Sequence, residues 1–227
     1  MLRQETVVPE LIEVIREFQC NPLFKDFYLA GGTSLALQLG HRISTDIDLF
    51  SYNKYDFSKL NEYFKYNPEK YNTDVNQDNF IRIYKDGIKV EFVHDLYGKL
   101  IKHPLTENGI TYLDKIEIAP MKLWANLGRK KVRDIIDIAF LLKEISLEKM
   151  FDLYKEKYGP FNVNILKRVL LTRSETVNND EELINIKMLR NDIKLNDIPD
   201  IIKQAIDEYN SKVGIGKTMN KSKKNKI

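Results

Sequence analysis

The sequence predicts an α+β fold, with a mixed β-sheet flanked by helices in a head and a helical region after it. Three observations carry this. Strand-like alternation is confined to the chain before residue 119, most clearly in "FIRIYKDGIKVEFV" at 80–93. Helical periodicity takes over after Pro120. Between 28 and 50, "YLAGGTSLALQLGHRISTDIDLF" sets a glycine pair, a short helix and a strand in close succession. The expected division is a head over 1–118, a helical domain over 119–210 and a flexible lysine-rich tail over 211–227.

Taken in order, residues 9–20 place Leu11, Ile12, Ile15 and Phe18 on one helical stripe. Phe27 to Ala30 is a short apolar segment that ends at Gly31-Gly32. Thr33 to Leu39 predicts a helix, with Thr33 as its cap, Leu35, Ala36 and Leu39 as its apolar face, and Gly40 as its stop. Thr45 to Phe50 predicts a strand and Phe57 to Phe64 a helix. Residues 80–93 predict a hairpin through the Asp86-Gly87 turn. Pro120 suits a first helical position. It introduces a helical pattern over 121–144 that Gly128 is placed to interrupt, and further helices are expected at 147–158, 161–172, 179–189 and 198–210.

Composition narrows the chemistry. The chain has 227 residues, enough for one large domain or two small ones. Cys20 is the single cysteine, which excludes a disulfide framework and a cysteine zinc site. The three histidines make a poor metal set. No apolar run reaches membrane-spanning length and the first residues show no signal core, so the expectation is a cytoplasmic protein with no membrane contact. The net charge of +3 divides into six tail lysines and a body near −3. Such a tail either adds affinity for nucleic acid or simply solubilises the chain end.

The candidate site begins with Asp46 and Asp48. Two residues apart on a strand, they point to one face about 7 Å apart along the backbone. Paired carboxylates repel unless a cation lies between them, and Mg²⁺ takes such ligands together with substrate phosphates. The same D-x-D also describes two solvated acids on an edge strand. Gly31 and Gly32, opening onto Thr33 and Ser34, offer close backbone approach, helix N-terminal N–H groups and hydroxyls to an anion. The plain alternative is a glycine turn that begins a helix. Together the two motifs describe a site for a nucleoside triphosphate (NTP) with its metal. Glu91, in the second arm of the hairpin, is the third acid, with Asp95 as its substitute. Arg42 either touches phosphate or pairs with Asp46. On one continuous helix, Lys122, Asn126, Arg129, Arg133 and Asp137 would share a stripe, either facing the cleft or solvated with an Arg133–Asp137 pair. Asp134 falls off that stripe unless Gly128 breaks the helix. Trp124 and Phe140 read as core.

G-G-T-S followed by D-I-D-L resembles the first motif of the polymerase-β-like nucleotidyltransferase superfamily. The stretch over 28–50 is similar in particular to the AbiEii/AbiGii toxin family, nucleotidyltransferases of abortive-infection and toxin–antitoxin systems. "APMKLWANLGRKKVRDIIDIAFLLKE" at 119–144 resembles that family's downstream Lys and Asp motifs. Two positions depart from the pattern: Glu91 stands where the superfamily has Asp, and Arg133-Asp134 where Lys-Asp is expected. Both substitutes keep the chemistry, since Glu ligates Mg²⁺ and Arg keeps its charge. The resemblance implies a nucleotidyltransferase head and transfer of a nucleotidyl group from an NTP to an acceptor hydroxyl, with Mg²⁺ or Mn²⁺ as cofactor. It implies Asp46, Asp48 and Glu91 at the metal; Gly31, Gly32, Thr33 and Ser34 at the triphosphate; and Lys122 at phosphate charge. Asp134 belongs to the downstream motif. The implied acceptor is RNA, tRNA among the candidates, with a separate antitoxin as partner. A small-molecule or protein acceptor, or a non-catalytic nucleotide-binding role, are the alternatives.

Overall fold

The computed structural model describes residues 1–53, 55–179 and 181–224, with side chains through residue 214. Seven strands form one mixed sheet: β1 (Tyr28–Leu29), β2 (Ile47–Ser51), β3 (Asn72–Gln77), β4 (Phe80–Lys85), β5 (Ile88–His94), β6 (Leu105–Glu107) and β7 (Ile110–Tyr112), in the order β3-β4-β5-β2-β1-β7-β6. β2 lies parallel to β5 and antiparallel to β1, and β1 lies parallel to β7. The helices are α1 (Pro9–Cys20), α2 (Gly31–Leu39), α3 (Phe57–Lys65), α4 (Lys115–Gly128), α5 (Val132–Leu142), α6 (Leu147–Tyr158), α7 (Val163–Glu175) and α8 (Ile198–Lys224). This is the α+β architecture that the alternation before residue 119 and the periodicity after it predict.

Alternation along the strands creates two cores. Ile47 and Leu49 of β2 and Val90 and Phe92 of β5 point to the face covered by α1 and α3. There Phe18 meets Phe24 and Phe92 edge to face, with ring centroids 5.0 and 5.2 Å apart. The opposite face carries Asp48 and Phe50 on β2 and Lys89, Glu91 and Val93 on β5. Ala30, Leu35 and Leu39, at and along α2, join a second core built from α4 to α8. The head and the helical region therefore share a core through α2, and residue 119 lies inside α4. Polar groups of the sheet thus face a helical layer, which is the arrangement a cleft needs.

The two hairpins follow their turn chemistry. Asp86-Gly87 joins β4 to β5 with φ of 51° and 78°, and Asn108-Gly109 joins β6 to β7 with φ of 52° and 77°. Both pairs have the double positive φ of a tight hairpin turn, which Asn-Gly and Asp-Gly favour.

Several expectations are corrected. α2 starts at Gly31, and Thr33 is buried within its first turns rather than capping it. β2 begins at Ile47, so Asp46 immediately precedes the strand. α4 begins at Lys115, where the Asp114 side chain accepts the Ile116 N–H at 2.8 Å, so Pro120 is interior to the helix. The 121–144 helix is two helices: after Gly128 the backbone of Arg129 is extended, as the poor helix propensity of glycine favours. Among the described residues of 179–189 no α-helix forms. Short 3-10 turns at Val177–Asn179 and Glu181–Asn185 lead to an extended stretch, where Met188 bridges Arg42. The asparagines of that segment offer side-chain bonds that compete with helix. α8 extends past the expected 210. Of the tail lysines only Lys212 has a described side chain, 3.0 Å from Glu148; the expectation of a free basic tail otherwise lies outside the described side chains.

A buried ion pair ties the loop after β5 to α4 and α6. Lys157 Nζ donates to Glu117 Oε2 at 2.7 Å and to the Lys99 carbonyl at 2.9 Å, and lies 4.2 Å from the centroid of the Tyr52 ring. The Glu117 carboxylate in turn accepts the Ile101 and Lys102 N–H groups. Lys157→Ala leaves that carboxylate buried and unpaired, and should lower stability by about 3–5 kcal/mol in urea unfolding. A loss under about 1 kcal/mol, the scale of an exposed pair, would show that the pair is dispensable.

Candidate active site

The site lies on the sheet face that meets the helical layer. Asp48 of β2 and Glu91 of β5 are register partners on adjacent parallel strands, so their side chains stand next to each other. Asp46, one residue before β2, approaches from the same side. Lys89 lies between the acids, with Nζ 3.2 Å from Asp46 Oδ2 and 3.3 Å from Glu91 Oε1. Arg133 Nη1 reaches Asp46 Oδ2 at 3.4 Å, and Arg82 Nε donates to Glu91 Oε1 at 2.8 Å. Burial, followed by the neighbouring Glu91 charge, pushes the Asp48 carboxyl up to about 6, against the pull of Lys89 and Lys122. Burial therefore disfavours the charged form of Asp48, and the Glu91 carboxylate adds to it.

The glycine pair serves this packing. Gly31 has φ +62°, and a Cβ there would collide with the Asp48 carboxylate. A Cβ at Gly32 would collide with the Arg42 guanidinium. Thr33 donates its hydroxyl to the Asp46 carbonyl and lies 2.9 Å from Ser44 Oγ. Ser34 is buried and donates to the Leu113 carbonyl at 2.9 Å. The Thr33 hydroxyl ties α2 to the segment entering β2, and the Ser34 hydroxyl ties it to the residue after β7.

Behind the acids is a second charged cluster, buried at His41, Arg42, Lys122, Asp134 and Asp137 and reached from the surface by Arg129. Arg42 Nε donates to Asp137 Oδ1 at 2.7 Å and Nη2 to Oδ2 at 3.0 Å, a two-pronged pair. Arg42 thus pairs with Asp137 rather than Asp46. His41 Nε2 lies 2.8 Å from the same Oδ1. Lys122 Nζ is 2.7 Å from Asp137 Oδ2 and 2.9 Å from Asp134 Oδ1. Arg129 Nε closes the set on Asp134 Oδ2 at 2.9 Å. Burial alone would push the Asp137 carboxyl up, but Arg42, Lys122 and the His41 hydrogen bond hold it well below the ordinary value. Asp134 is lowered too, with Lys122 and Arg129 outweighing its burial. Burial pushes His41 down despite Asp137, so its neutral ring donates from Nε2.

The break after Gly128 is what brings Asp134 to Lys122. Arg133 and Asp137 share α5, but the expected surface pair between them does not form, because Asp137 is buried against Arg42 and Lys122 while Arg133 reaches Asp46. Asp137, His41 and Lys89 were not singled out as site residues by pattern. Lys89 had a local signal, since it precedes Glu91 by two on one strand. Asp137 had the stripe it would share with Lys122 on one continuous helix, but nothing local pointed to Arg42 or His41 as its partners. Glu91, and not Asp95, is the register partner of Asp48. Asp95 Oδ1 accepts the N–H groups of Tyr97 at 3.2 Å and Gly98 at 2.9 Å, which fixes a loop. Phe140 is core, as expected, but Trp124 is 42% exposed at the mouth of the cleft.

Comparison with known proteins gives this geometry its family. A family model described as "Nucleotidyl transferase AbiEii toxin, Type IV TA system" matches residues 13–213. The chain belongs to the AbiEii nucleotidyltransferase toxin family. The AbiEii match runs from α1 into α8 and so takes in both the acidic strands and the buried cluster. An uncharacterised protein of Aquifex aeolicus (strain VF5) is 31% identical over 159 residues, covering 67% of this chain and 74% of that protein. Among the described residues no helix is long and apolar enough to cross a membrane.

Two outcomes test the electrostatics. Asp137→Asn removes the charge that Arg42 and Lys122 share, and should cost about 3–5 kcal/mol in urea unfolding. A variant as stable as the parent would mean that the cluster is not a constraint on folding. Asp48 behaves oppositely. Its folded value of about 6 lies above the ordinary 3.8, so between those values the folded state holds a proton that the unfolded state has released. Stability from this group therefore falls as pH rises through that window. In metal-free buffer Asp48→Asn should be more stable than the parent at pH 8 by about 1–3 kcal/mol, since each tenfold change in proton affinity is worth about 1.4 kcal/mol. The difference should vanish near pH 4, and a variant less stable at pH 8 would contradict it.

Proposed function

We propose that this AbiEii-family nucleotidyltransferase moves a nucleotidyl group from an NTP to a hydroxyl of an RNA acceptor, in a metal-dependent reaction, as the toxin of a pair with a separate antitoxin protein. The observation that carries the reading is the meeting of Asp48 and Glu91 across β2 and β5, against Gly31 and beside Asp46. The donor set fits a hard divalent ion: the groups are carboxylates, with Asp48 raised first by burial and then by the Glu91 charge beside it. Among the described residues no three carboxylates already converge on one point, and Lys89 stands between Asp46 and Glu91 as an internal cation. Asp46 and Asp48, with Glu91, would hold Mg²⁺ or Mn²⁺. The ion supplies charge neutralisation at the reacting phosphate and lowers the barrier to attack by an oxygen nucleophile.

The chain's own groups divide the remaining work. Lys122 lines the same cleft as Asp48, with its ammonium fixed by Asp134 and Asp137, and so offers a phosphate a positioned N–H donor without a mobile side chain. Arg129 lines the cleft beside it, and Arg133 rests on Asp46. Phosphoryl-type transfer depends mainly on such positioning and charge. Arg129, Lys130, Lys131 and Arg133 lie together at the α4–α5 break. Their charge supports a polyanionic acceptor, since phosphate backbones are bound through Lys and Arg. The lysines beyond Asn210 add a second basic segment to the same chain.

The test is transfer of label. The purified chain is incubated with Mg²⁺ or Mn²⁺ and each NTP labelled at its α-phosphate, with and without a tRNA fraction. Label should enter RNA, and chelation of the metal should abolish transfer. Asp48→Ala should lower turnover by at least about 10²-fold, the scale on which loss of one transition-state charge contact is felt. Label entering only a small molecule or protein would replace the acceptor. Near-parental turnover of Asp48→Ala at saturating metal would remove Asp48 from the site.

A further inference from the structure

The cleft beside Asp48 is not polar throughout. It encloses ≈ 430 Å³, within the about 300–1,000 Å³ of small-molecule sites. Gly31, Asp48, Glu91 and Lys122 form its charged part, and Tyr97, Trp124 and Tyr158 line it as well. The three rings are ordered. Trp124 stacks on Tyr158 with centroids 4.6 Å apart and planes 24° apart, and on Tyr97 at 5.8 Å and 25°. Trp124 retains 42% and Tyr97 72% of its surface, unlike the buried rings of the head.

The loop that presents Tyr97 is built, not loose. Asp95 Oδ1 takes the Tyr97 and Gly98 N–H groups, and Asp95 Oδ2 lies 3.4 Å from the Tyr158 hydroxyl. Gly98 packs so closely that a Cβ there would come 2.9 Å from a Tyr158 ring carbon. A stacked pair of exposed rings, prearranged within a charged cleft, matches a planar ligand that carries anionic groups at one end. Aromatic faces accept such a ring by offset stacking, without hydrogen-bond readout.

We propose that Tyr97 and Trp124 are the stacking platform for the base of the NTP whose phosphates lie at Asp48. This rests on the NTP reading above and adds to it the recognition of the base. Stacking tolerates every base, so the platform supplies affinity to all NTPs and leaves choice among them to polar contacts.

Trp124 is the chain's single tryptophan, so its fluorescence reports on this place alone. The full chain is titrated with ATP and with inorganic tripolyphosphate, which carries the charge without the base. ATP should quench Trp124 saturably. Tripolyphosphate should leave its emission unchanged while competing with ATP. Tyr97→Ala should weaken ATP binding by about tenfold, the scale of one lost base–aromatic stack, without changing tripolyphosphate affinity, and Tyr97→Phe should restore it. Equal quenching by tripolyphosphate, parental ATP affinity in Tyr97→Ala, or quenching by acceptor RNA but not by NTP would overturn the platform. Label transfer with a silent Trp124 would remove the platform and leave the transferase reading intact. Absence of any NTP binding in calorimetry would remove both.

Discussion

Asp137 is a carboxylate sealed inside the protein, and the arrangement of the site depends on what neutralises it. A charge in that position is tolerated only when hydrogen-bonded cations surround it. Arg42 from the loop after α2, Lys122 from α4 and the neutral His41 ring supply those contacts. One side chain thereby fixes three separate parts of the chain relative to each other. Gly32 is small because Arg42 must pass it to reach Asp137. The extended stretch near Met188 lies along the loop of His41 and Arg42, with the Leu189 N–H donating to the His41 carbonyl at 2.9 Å. The cluster also balances internally, with Lys122 shared between Asp134 and Asp137, so no uncompensated charge is left in the core.

That balance sets the character of the cleft in front. Because Asp134 and Asp137 hold Lys122 in place, its ammonium is a fixed donor at the cleft wall and not a searching side chain. The acids before it are in a different state. Asp48 is drawn upward by burial and crowded by Glu91, while Lys89 and Arg133 pair with Asp46, and Lys89 and Arg82 with Glu91. The protein thus keeps one charge cluster closed for architecture and one open toward the cleft. Fixed dipoles and charges of this kind do not have to reorganise when substrate charge develops.

Much of the fold was legible because it follows local rules. α1 and the β4–β5 hairpin appear where periodicity and the Asp86-Gly87 turn place them. The β6–β7 hairpin carried an equally clear Asn108-Gly109 signal in very short strands, and length hid it. β3 was missed for a physical reason: it is a polar edge strand, "NTDVNQ", that buries little and shows no alternation. The 179–189 segment looked helical by its scattered apolar residues, but its end is held by backbone bonds of Lys187 and Leu189 to the loop at 41–43. No local pattern encodes such a partner.

The sequence by itself determined the α+β order, the glycine pair, the acids Asp46, Asp48 and Glu91, and the likeness to a nucleotidyltransferase toxin family. These are properties of spacing and residue type, which survive without knowledge of distant contacts. Tertiary structure alone decided that the glycines make room for Asp48 and Arg42, and that Arg42 answers Asp137 instead of Asp46. It alone turned Trp124 outward beside Tyr97. The reason is the same in each case: a charge or ring chooses its partner by distance in space. His41 and Asp137, 96 positions apart in the chain, meet only after α5 has folded back onto α2.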